Sequence, residues 1–314
     1  MKIWKILPES IKRSLIKLSY MPEKVMLNAY YACANGKLWC PDKLFQKWDC
    51  KYFGIKKINF KNPQTYQEKL QWLKYYYHNP VMTQLVDKYR CREYIAEKIG
   101  EEHLISLIGK YDSVNEIDFD TLPEKFVLKC NHDSGSIAIC KNKKEFDFEK
   151  AKEMLNKGLK RNQFYLSREW PYKNVKPCII CEKYLEDDNF SDIQDYKFFC
   201  FDGKVGFFAV YTDRHTDMHI TYYYPGWEKI NMKLCKYPVS EKEDYRPENF
   251  DEMFRFAEIL SKGFPEVRVD FYSVNGKTYF GEMTFYSSGG RLLFEPDEYN
   301  YKFGEMIKLP PKMR

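Results

Sequence analysis

The sequence predicts an α+β fold built around antiparallel strand hairpins. Helical periodicity dominates residues 1–75, whereas short apolar runs separated by turn signals dominate from residue 126 onward. Asp202-Gly203 and Asn275-Gly276 each separate two strand-like segments, as hairpin turns do. The N-terminal part also lacks the glycine-rich strand-to-helix turn of dinucleotide-binding folds.

The helical segments come first along the chain. Residues 1–75 are Lys-rich, with turns expected near Asn35-Gly36 and Asn62-Pro63. From Pro80 to Ile99 apolar residues recur at helical intervals, and Gly100 is placed to stop that helix. Two later helices are predicted at residues 147–160 and 250–263.

The strand-like segments are short, apolar and bounded by turn residues. They are residues 104–108, 126–130, 137–140, 178–185, 196–200, 205–211, 267–272 and 278–285. From this order we expect three parts: a helical N-terminal region at 1–80, a first α+β subdomain at 81–190 and a second at 191–314.

Composition indicates a folded protein without a nucleic-acid partner. Of 314 residues, 44% are hydrophobic and 31% are charged, which is ordinary for a globular chain. The net charge of +6 arises from 51 basic and 45 acidic residues mixed along the chain, not from a basic stripe. A polyphosphate ligand is compatible with this balance, and so is simple solubility.

The ten cysteines are scattered, without the dense spacing of a secreted disulfide scaffold. Cys178 and Cys181 form a C-x-x-C motif, but it lies in an apolar run with no second pair at zinc-finger spacing. We therefore expect two buried strand thiols and a reducing, cytoplasmic location.

The N-terminal segment is basic and amphipathic, with Trp4 and Leu15 near its apolar side. No stretch of 18 apolar residues exists, and no signal-peptide pattern is present. Two interpretations stay open for residues 1–20: packing on the rest of the protein, or peripheral contact with the inner membrane face.

A lysine followed by a small, polar loop forms the first candidate site. Lys129 ends a predicted strand, and the loop 131–136 includes Ser134, Gly135 and Ser136. The lysine can neutralise phosphate oxygens, and Gly135 lets backbone amides approach a ligand closely. The lysine precedes the loop, so this is not a Walker A motif. A surface hairpin explains the pattern equally well.

The last predicted hairpin carries the second candidate site. A three-residue loop, Val274 to Gly276 with a G1 bulge at Gly276, places Arg268 opposite Glu282 and Asp270 on the same face. A strict two-residue turn instead sends Glu282 to the opposite side. The simple interpretation is a surface salt bridge. Because the flanking residues are apolar, we favour a buried pair of carboxylates that binds Mg²⁺ with nucleotide phosphates.

Taken in order, these segments resemble the ATP-grasp superfamily, and within it the teichuronopeptide-biosynthesis (TupA-like) amidoligases of capsule and other cell-surface polysaccharides. The resemblance extends from about Asn62 to Pro310. It rests on residues 62–72, 86–89, 92–94, 126–136, 168–170, 182–185, 196–198, 269–271 and 281–285.

The resemblance implies an ATP-grasp fold, in which two α+β subdomains grip ATP between antiparallel sheets, and a set of nucleotide-binding residues. Lys88 and Lys129 are expected at the phosphates, with the 131–136 loop closing over them. The expected adenine hinge comprises Glu182, Lys183 and Leu185. The nucleotide set is completed by Asp188 and Lys197, although Glu186 and Asp187 compete with Asp188 for the ribose.

The resemblance also implies the chemistry. Asp270, Glu282 and Thr284 are expected to bind one or two Mg²⁺ ions, while Arg268 and Lys129 stabilise the charge of the reaction. A substrate carboxylate attacks the γ-phosphate of ATP, and an amine captures the acylphosphate as an amide. The expected substrates are a sugar acid or glycan and an amino acid or amino sugar. Thr284 stands where many relatives have Asn, which leaves the number of metal ions open.

Two other functions remain as alternatives. A metal-dependent glycosyltransferase of the same pathway often uses a D-x-D motif, and Asp118-Phe119-Asp120 fits that pattern. It lies in an acidic turn, however, without a hydrophobic strand leading into it. The third interpretation, a non-catalytic nucleotide-binding protein, does not require Lys129, Asp270 and Glu282 together.

Overall fold

A computed structural model of the protein describes residues 23–55, 58–190, 192–213, 217–234, 237–240 and 243–313. The prediction for residues 1–20 lies outside these ranges. Within them, no helix is both long and apolar enough to cross a membrane.

The helices alternate with strands after a purely helical beginning. They are α1 (Glu23–Ala34), α2 (Asp42–Tyr52), α3 (Tyr66–Tyr76), α4 (Val81–Leu85), α5 (Cys91–Ile99), α6 (Phe148–Leu159), α7 (Gln163–Ser167), α8 (Phe250–Ser261), α9 (Ser287–Gly290) and α10 (Glu298–Met306). Helix α3 begins with a capping box, in which Thr65 and Glu68 each accept a hydrogen bond from the other's backbone N–H.

The strands form two main antiparallel sheets. They are β1 (Leu107–Tyr111), β2 (Phe126–Cys130), β3 (Ile137–Cys140), β4 (Ile179–Lys183), β5 (Asp195–Phe201), β6 (Lys204–Thr212), β7 (His219–Tyr223), β8 (Lys233–Leu234), β9 (Val267–Val274), β10 (Lys277–Thr284) and β11 (Phe294–Glu295). The first sheet has the order β1-β4-β2-β3 and the second β10-β9-β5-β6-β7, while β8 and β11 pair separately. The α+β prediction is therefore confirmed.

Each sheet has its own hydrophobic core. Helix α6 packs on the first sheet through Ala151 and Leu155. The second sheet shares one core with α3, α4 and α5, which contribute Leu70, Leu85 and Ile95. Part of the helical N-terminal region is thus built into the second sheet's core. The division of the chain at residues 80 and 190 stays a prediction.

Two local predictions were wrong, and several elements were not predicted. The helix expected from Pro80 to Ile99 is broken between α4 and α5, because Asp87 accepts hydrogen bonds from the backbone N–H groups of Tyr89 and Arg90 and turns the chain. The strand expected at 104–108 begins at Leu107 instead. The elements not predicted at all are strands β7, β8 and β11 and helices α7, α9 and α10.

Other predictions were confirmed. Gly100 ends α5 with a φ of 105°, which favours glycine. Asp202 and Gly203 form the two-residue turn between β5 and β6, both with positive φ. Cys178 and Cys181 are buried free thiols, and burial raises the pKa of each to about 12.

Candidate active site

The β9–β10 hairpin turns through two residues, so the predicted three-residue loop was wrong. Val274 pairs with Lys277, and Asn275 and Gly276 have φ values of 50° and 75°. Asn and Gly both tolerate the left-handed conformation that a tight hairpin turn requires, so no bulge forms at Gly276.

A bulge at Gly281 restores the carboxylate pair. The register shifts between Phe280 and Glu282, which places Glu282 opposite Asp270 and Thr284 opposite Arg268. The predicted pairing of Arg268 with Glu282 was therefore wrong in register. A Cβ on Gly281 would lie 3.0 Å from the backbone oxygen of Asp270, so the bulge depends on the missing side chain.

Arg268 joins the two carboxylates. Its Nε and Nη2 atoms donate to Oδ1 and Oδ2 of Asp270 at 2.6 and 2.8 Å. Nη2 also donates to Oε1 of Glu282 at 2.7 Å and to the Thr284 hydroxyl at 3.0 Å. The Thr284 hydroxyl in turn donates to Glu282 at 3.0 Å. On Nη1 the described contact is with Ser287 Oγ, at 3.5 Å.

Lys197 approaches Asp270 from the neighbouring strand β5. The two residues are directly opposite in register, and Lys197 Nζ lies 2.5 Å from Asp270 Oδ2 and 3.0 Å from Asp195 Oδ2. The ammonium group also faces the Tyr211 ring at 5.0 Å from its centroid. Two cations and three carboxylates, a net charge of −1, thus meet on one sheet face.

Electrostatics favours the charged forms of Glu282, Lys197 and Arg268. Burial favours neutral forms, but the positive charges of Arg268, Lys88 and Lys197 lower the pKa of Glu282 to about 2. Asp195 and Asp270 likewise raise the pKa of Lys197, and Asp270 raises that of Arg268. Glu282 therefore carries a full negative charge at neutral pH.

The donor set fits a magnesium ion that shares its ligands with phosphates. Within the described ranges, no cluster of three or more His, Cys, Asp or Glu side chains is arranged to hold a metal. Glu282 and Asp270 supply hard carboxylate oxygens, and Oε2 of Glu282 makes no hydrogen bond to any described residue. Mg²⁺ is commonly bound by one or two carboxylates together with substrate phosphates.

Lys88 makes two hydrogen bonds to the 131–136 loop. Its Nζ donates to the carbonyl oxygen of Asp133 at 2.5 Å, and its backbone N–H donates to Asn131 O. Asn131 also donates to the carboxylate of Asp87 at 2.9 Å. The positive charge of Lys88 also lowers the pKa of Glu282, so Lys88 lies within electrostatic range of that carboxylate.

The loop residues divide into exposed and internal positions. Ser134 and Gly135 are exposed, and a Cβ on Gly135 would meet only Arg161 Nη1, at 3.9 Å. Ser136 is buried and donates its hydroxyl and its backbone N–H to Asp133. The structure therefore leaves two of the three predicted loop residues accessible to a ligand, while Ser136 shapes the loop.

Lys129 lies beside Glu182 on the first sheet. Its Nζ is 2.6 Å from Glu182 Oε2, and Arg92 Nη1 is 3.3 Å from Oε1 of the same carboxylate. The backbone N–H of Lys183 is already bound to Ser106 O, and its side chain is exposed. Leu185, two residues later, is half-buried.

The three acidic residues after β4 have different partners. Glu186 pairs with Lys125 at 2.6 Å. Asp187 accepts a hydrogen bond from the backbone N–H of Asn275 at 2.6 Å. Asp188 is exposed, and its carboxylate has no hydrogen bond or ion pair with the described residues, although its backbone N–H bonds to Asn275. Asp188 is thus the most available of the three to a ligand.

Sequence reasoning missed several residues that shape this site. Asp195 stands two positions before Lys197 on the same strand face, a period-2 signal that was available. Asp133 accepts the hydrogen bonds of Ser136 within the loop, and Arg92 is paired with Glu182. Tyr172 lies in a short 3₁₀ helix, Trp170–Asn174, that carries no such signal, and burial, Glu169 and Glu282 raise its pKa well above the usual range.

The alternative D-x-D site is a simple turn. Asp118 accepts a hydrogen bond from the backbone N–H of Asp120 at 3.1 Å, and both residues are exposed. This hydrogen bond stabilises a local turn.

Comparisons with known proteins identify the family. The family model TupA-like ATPgrasp matches residues 68–308, more than half of the chain. A search of curated proteins found no match. Solved structures that resemble the fold include D-alanine-D-alanine ligase from Helicobacter pylori, with 15% identity, 89% of this chain and 70% of that chain covered, and a TM-score of 0.38.

Two further structures are similar at the same level. D-alanine–D-alanine ligase from Bacillus anthracis complexed with ATP has 16% identity and a TM-score of 0.37, with 78% of this chain and 62% of that chain covered. The ATP-grasp ligase PsnB complexed with minimal precursor has 10% identity and a TM-score of 0.40, with 76% and 66% covered. TM-scores this low carry no argument about function. The match to the family model, in contrast, shows the family. The chain belongs to the TupA-like ATP-grasp family and is an ATP-grasp ligase, an ATP-dependent enzyme that joins a carboxylate to an amine.

Proposed function

We propose that this ligase joins an amino acid or amino sugar to a sugar acid, free or within a glycan, in the biosynthesis of a capsule or other cell-surface polysaccharide. The observation that supports the site assignment is that Arg268 donates hydrogen bonds to both Asp270 and Glu282. The positive charge of Lys88 acts on the same Glu282 carboxylate. The substrate classes and the pathway rest on the resemblance to the TupA-like group alone.

The nucleotide is proposed to lie between the two sheets. Lys88 and Lys129 face its phosphates, and the exposed Ser134 and Gly135 offer backbone N–H groups to the phosphate oxygens. The segment from Glu182 to Leu185 is the proposed adenine hinge. Asp188, whose carboxylate is free among the described residues, is the proposed partner of the ribose hydroxyls.

The proposed reaction has two steps. A carboxylate oxygen of the first substrate attacks the γ-phosphorus of ATP, and the bond to the bridging oxygen breaks, releasing ADP and forming an acylphosphate. The amine of the second substrate then attacks the acyl carbon, and phosphate leaves as the amide forms. Arg268 offsets the developing negative charge. Its Nη1 is the atom best able to reach substrate, because its described contact, with Ser287, is the longest.

Asp270 and Glu282 are proposed to hold magnesium, with Thr284 supporting Glu282 through its hydroxyl. When bound, the ion would neutralise phosphate charge and orient the phosphates. Lys197 fixes the position of Asp270, because its ammonium group bonds directly to that carboxylate.

Turnover with pooled substrates tests the function. The protein is incubated with ATP, Mg²⁺, a pool of uronic acids and a pool of amino acids and amino sugars, while ADP release is followed and products are analysed by mass spectrometry. ADP release that requires a uronic acid, with an amide product, supports the proposal. ADP release with other carboxylates only contradicts the sugar-acid assignment, and consumption of a nucleotide sugar without ATP contradicts the ligase reaction. Glu282→Gln serves as the inactive control.

We also propose a cytoplasmic location, with residues 1–20 contacting the inner membrane face. The basic amphipathic pattern of this segment supports the proposal. Deletion of residues 1–20 is expected to abolish sedimentation with vesicles of anionic phospholipid. Equal sedimentation of the full-length and shortened proteins would contradict the proposal.

A further inference from the structure

The segment Ser287–Gly290, given above as the short helix α9, is a turn with an unusual backbone that follows strand β10. Ser288, Gly289 and Gly290 have φ values of 52°, 68° and 74°, so three consecutive residues are left-handed. This conformation is costly for serine, and it persists only where surrounding contacts hold it in place. Ser288 is exposed, whereas Ser287, Gly289 and Gly290 are buried.

One face of helix α3 supplies those contacts. Gln67, Gln71 and Lys74 are spaced by four and three residues, so they lie along one side of the helix, and all are buried. Each donates hydrogen bonds to carbonyl groups in or just after the turn. Gln67 binds Leu292 O, Gln71 Nε2 binds Gly289 O at 3.3 Å and Gly290 O at 3.1 Å, and Lys74 Nζ binds Gly289 O at 2.7 Å.

Lys74 is the charged donor among these three side chains. Its ammonium group also donates to Ser167 O at 2.7 Å, so both of its described hydrogen bonds go to carbonyl oxygens rather than to carboxylates. Burial lowers the pKa of Lys74 to about 8, and Asp49 is the carboxylate that most opposes this shift. A buried ammonium group is costly, and here its hydrogen bonds fix a strained turn.

The other end of the turn meets the active site. Ser287 Oγ accepts the hydrogen bond from Arg268 Nη1 at 3.5 Å, while the remaining contacts of Arg268 go to Asp270, Glu282 and Thr284. The turn therefore connects the face of helix α3 to the Nη1 edge of the Arg268 guanidinium.

We propose that Lys74 is a positioning residue for the carboxylate substrate. It holds the Ser287–Gly290 turn against Arg268, so that the turn and the Nη1 edge of the guanidinium form one wall of the carboxylate subsite. Ser288 is the exposed residue of that wall. This role rests on the proposed ligase function and gives the N-terminal helices a part in substrate binding.

Lys69→Met is the matched control for Lys74→Met. Lys69 lies on the same helix and also donates to a backbone carbonyl, Ile307 O at 2.9 Å, but this acceptor belongs to the segment after helix α10 and not to the turn. With a uronic acid from the pool that supports turnover, Lys74→Met should raise the KM for that acid about tenfold or more, whereas the KM for ATP should change less than about twofold. Lys74→Arg should recover part of the loss. Lys69→Met should leave both constants near those of the parent.

Hydrogen exchange provides a readout that needs no substrate. Amides of residues 286–291 should exchange about tenfold faster in Lys74→Met than in the parent, with no such change in Lys69→Met. If Lys74→Met does not fold, Gln71→Leu is used, because it removes the bond to Gly289 O, which Lys74 also binds, and the bond to Gly290 O. Equal kinetic and exchange effects in the Lys74 and Lys69 variants would overturn the inference. Absence of turnover in the parent with every pool would overturn the proposed substrate classes and, with them, the substrate-positioning role, and exchange would then show only whether Lys74 holds the turn.

Discussion

Glu282 lies directly opposite Asp270 across the β9–β10 hairpin, and this pairing depends on a bulge at the residue between Phe280 and Glu282. Without the bulge, the two-residue turn at Asn275-Gly276 would place Gly281 opposite Asp270. Glu282 would then point to the other face of the sheet. The geometry of the candidate site thus depends on a residue that has no side chain.

Gly281→Ala is expected to impair the site. The added Cβ would lie 3.0 Å from the backbone oxygen of Asp270, so the bulge must shift. We expect kcat/KM for ATP to fall about tenfold or more and the free energy of unfolding to fall by about 1–3 kcal/mol. Gly226→Ala is the control, since a Cβ there meets nothing within 4 Å. Parent-like ATP turnover in Gly281→Ala would show that the bulge is unimportant.

The two carboxylates should differ in what their loss costs. Glu282→Gln should abolish ATP turnover and cost less stability than the change at Asp270, because the Glu282 side chain is 36% exposed whereas that of Asp270 is 2% exposed. Asp270→Asn should abolish turnover and also destabilise the fold by about 3–5 kcal/mol, because it leaves the buried Arg268 and Lys197 without their shared charge. Urea unfolding and ADP release measure the two effects. Asp251→Asn, in an exposed pair with Arg246, should change neither.

Sequence patterns predicted most hairpins because turn chemistry is local. Asp202-Gly203 and the alternation of Arg268 and Asp270 are visible within a few residues. A lone glycine within a strand, such as Gly281, was a signal for a bulge, but only its contact with Asp270 shows where the register shifts. Local patterns also favoured an unbroken helix through Asp87, where side-chain hydrogen bonds to the backbone turn the chain instead.

Long-range contacts account for the rest of the site. Lys197 meets Asp270 across neighbouring strands 73 residues apart in sequence, and no short motif encodes that pairing. Similarly, Lys74 reaches a carbonyl 215 residues away. The ribose-binding acid among Glu186, Asp187 and Asp188 could not be chosen from the sequence, because the choice depends on a distant residue. The backbone N–H of Asn275 donates to Asp187, whereas the Asp188 carboxylate has no hydrogen bond or ion pair with the described residues.

Glu266 should make the fold less stable as pH rises. Burial raises its pKa from 4.5 to about 8, although Tyr66 donates a hydrogen bond to it at 2.7 Å. Between pH 4.5 and 8 the folded state therefore holds a proton that the unfolded state has lost, so the free energy of unfolding falls with increasing pH.

Glu266→Gln keeps an acceptor for Tyr66 and removes the titration. Its free energy of unfolding, measured with urea at pH 5, 6, 7 and 8, should decline less than that of the parent over the same range. Parallel declines in the two proteins would show that Glu266 is ionised in the folded state. Glu258→Gln, a partly exposed carboxylate paired with Lys204, is the control and should follow the parent.

Asp188→Asn should weaken recognition of the ribose while leaving the phosphate contacts intact. The Asp188 carboxylate is exposed and makes no hydrogen bond or ion pair with the described residues, so the substitution costs little stability. A carboxylate that accepts hydrogen bonds from the ribose hydroxyls discriminates against sugars that lack them. We expect the preference for ATP over 2′-deoxy-ATP and 3′-deoxy-ATP, measured as the ratio of kcat/KM values, to fall about tenfold.

Glu186→Gln is the matched variant, because Glu186 lies two residues away and is paired with Lys125 at the surface. It should keep the preference of the parent. If Glu186→Gln lost the preference and Asp188→Asn kept it, the ribose acid would be Glu186 and its pair with Lys125 would have to open on nucleotide binding. Asp187→Asn is less informative, because Asp187 accepts the backbone N–H of Asn275, and its loss disturbs the turn that sets the Asp270 and Glu282 register.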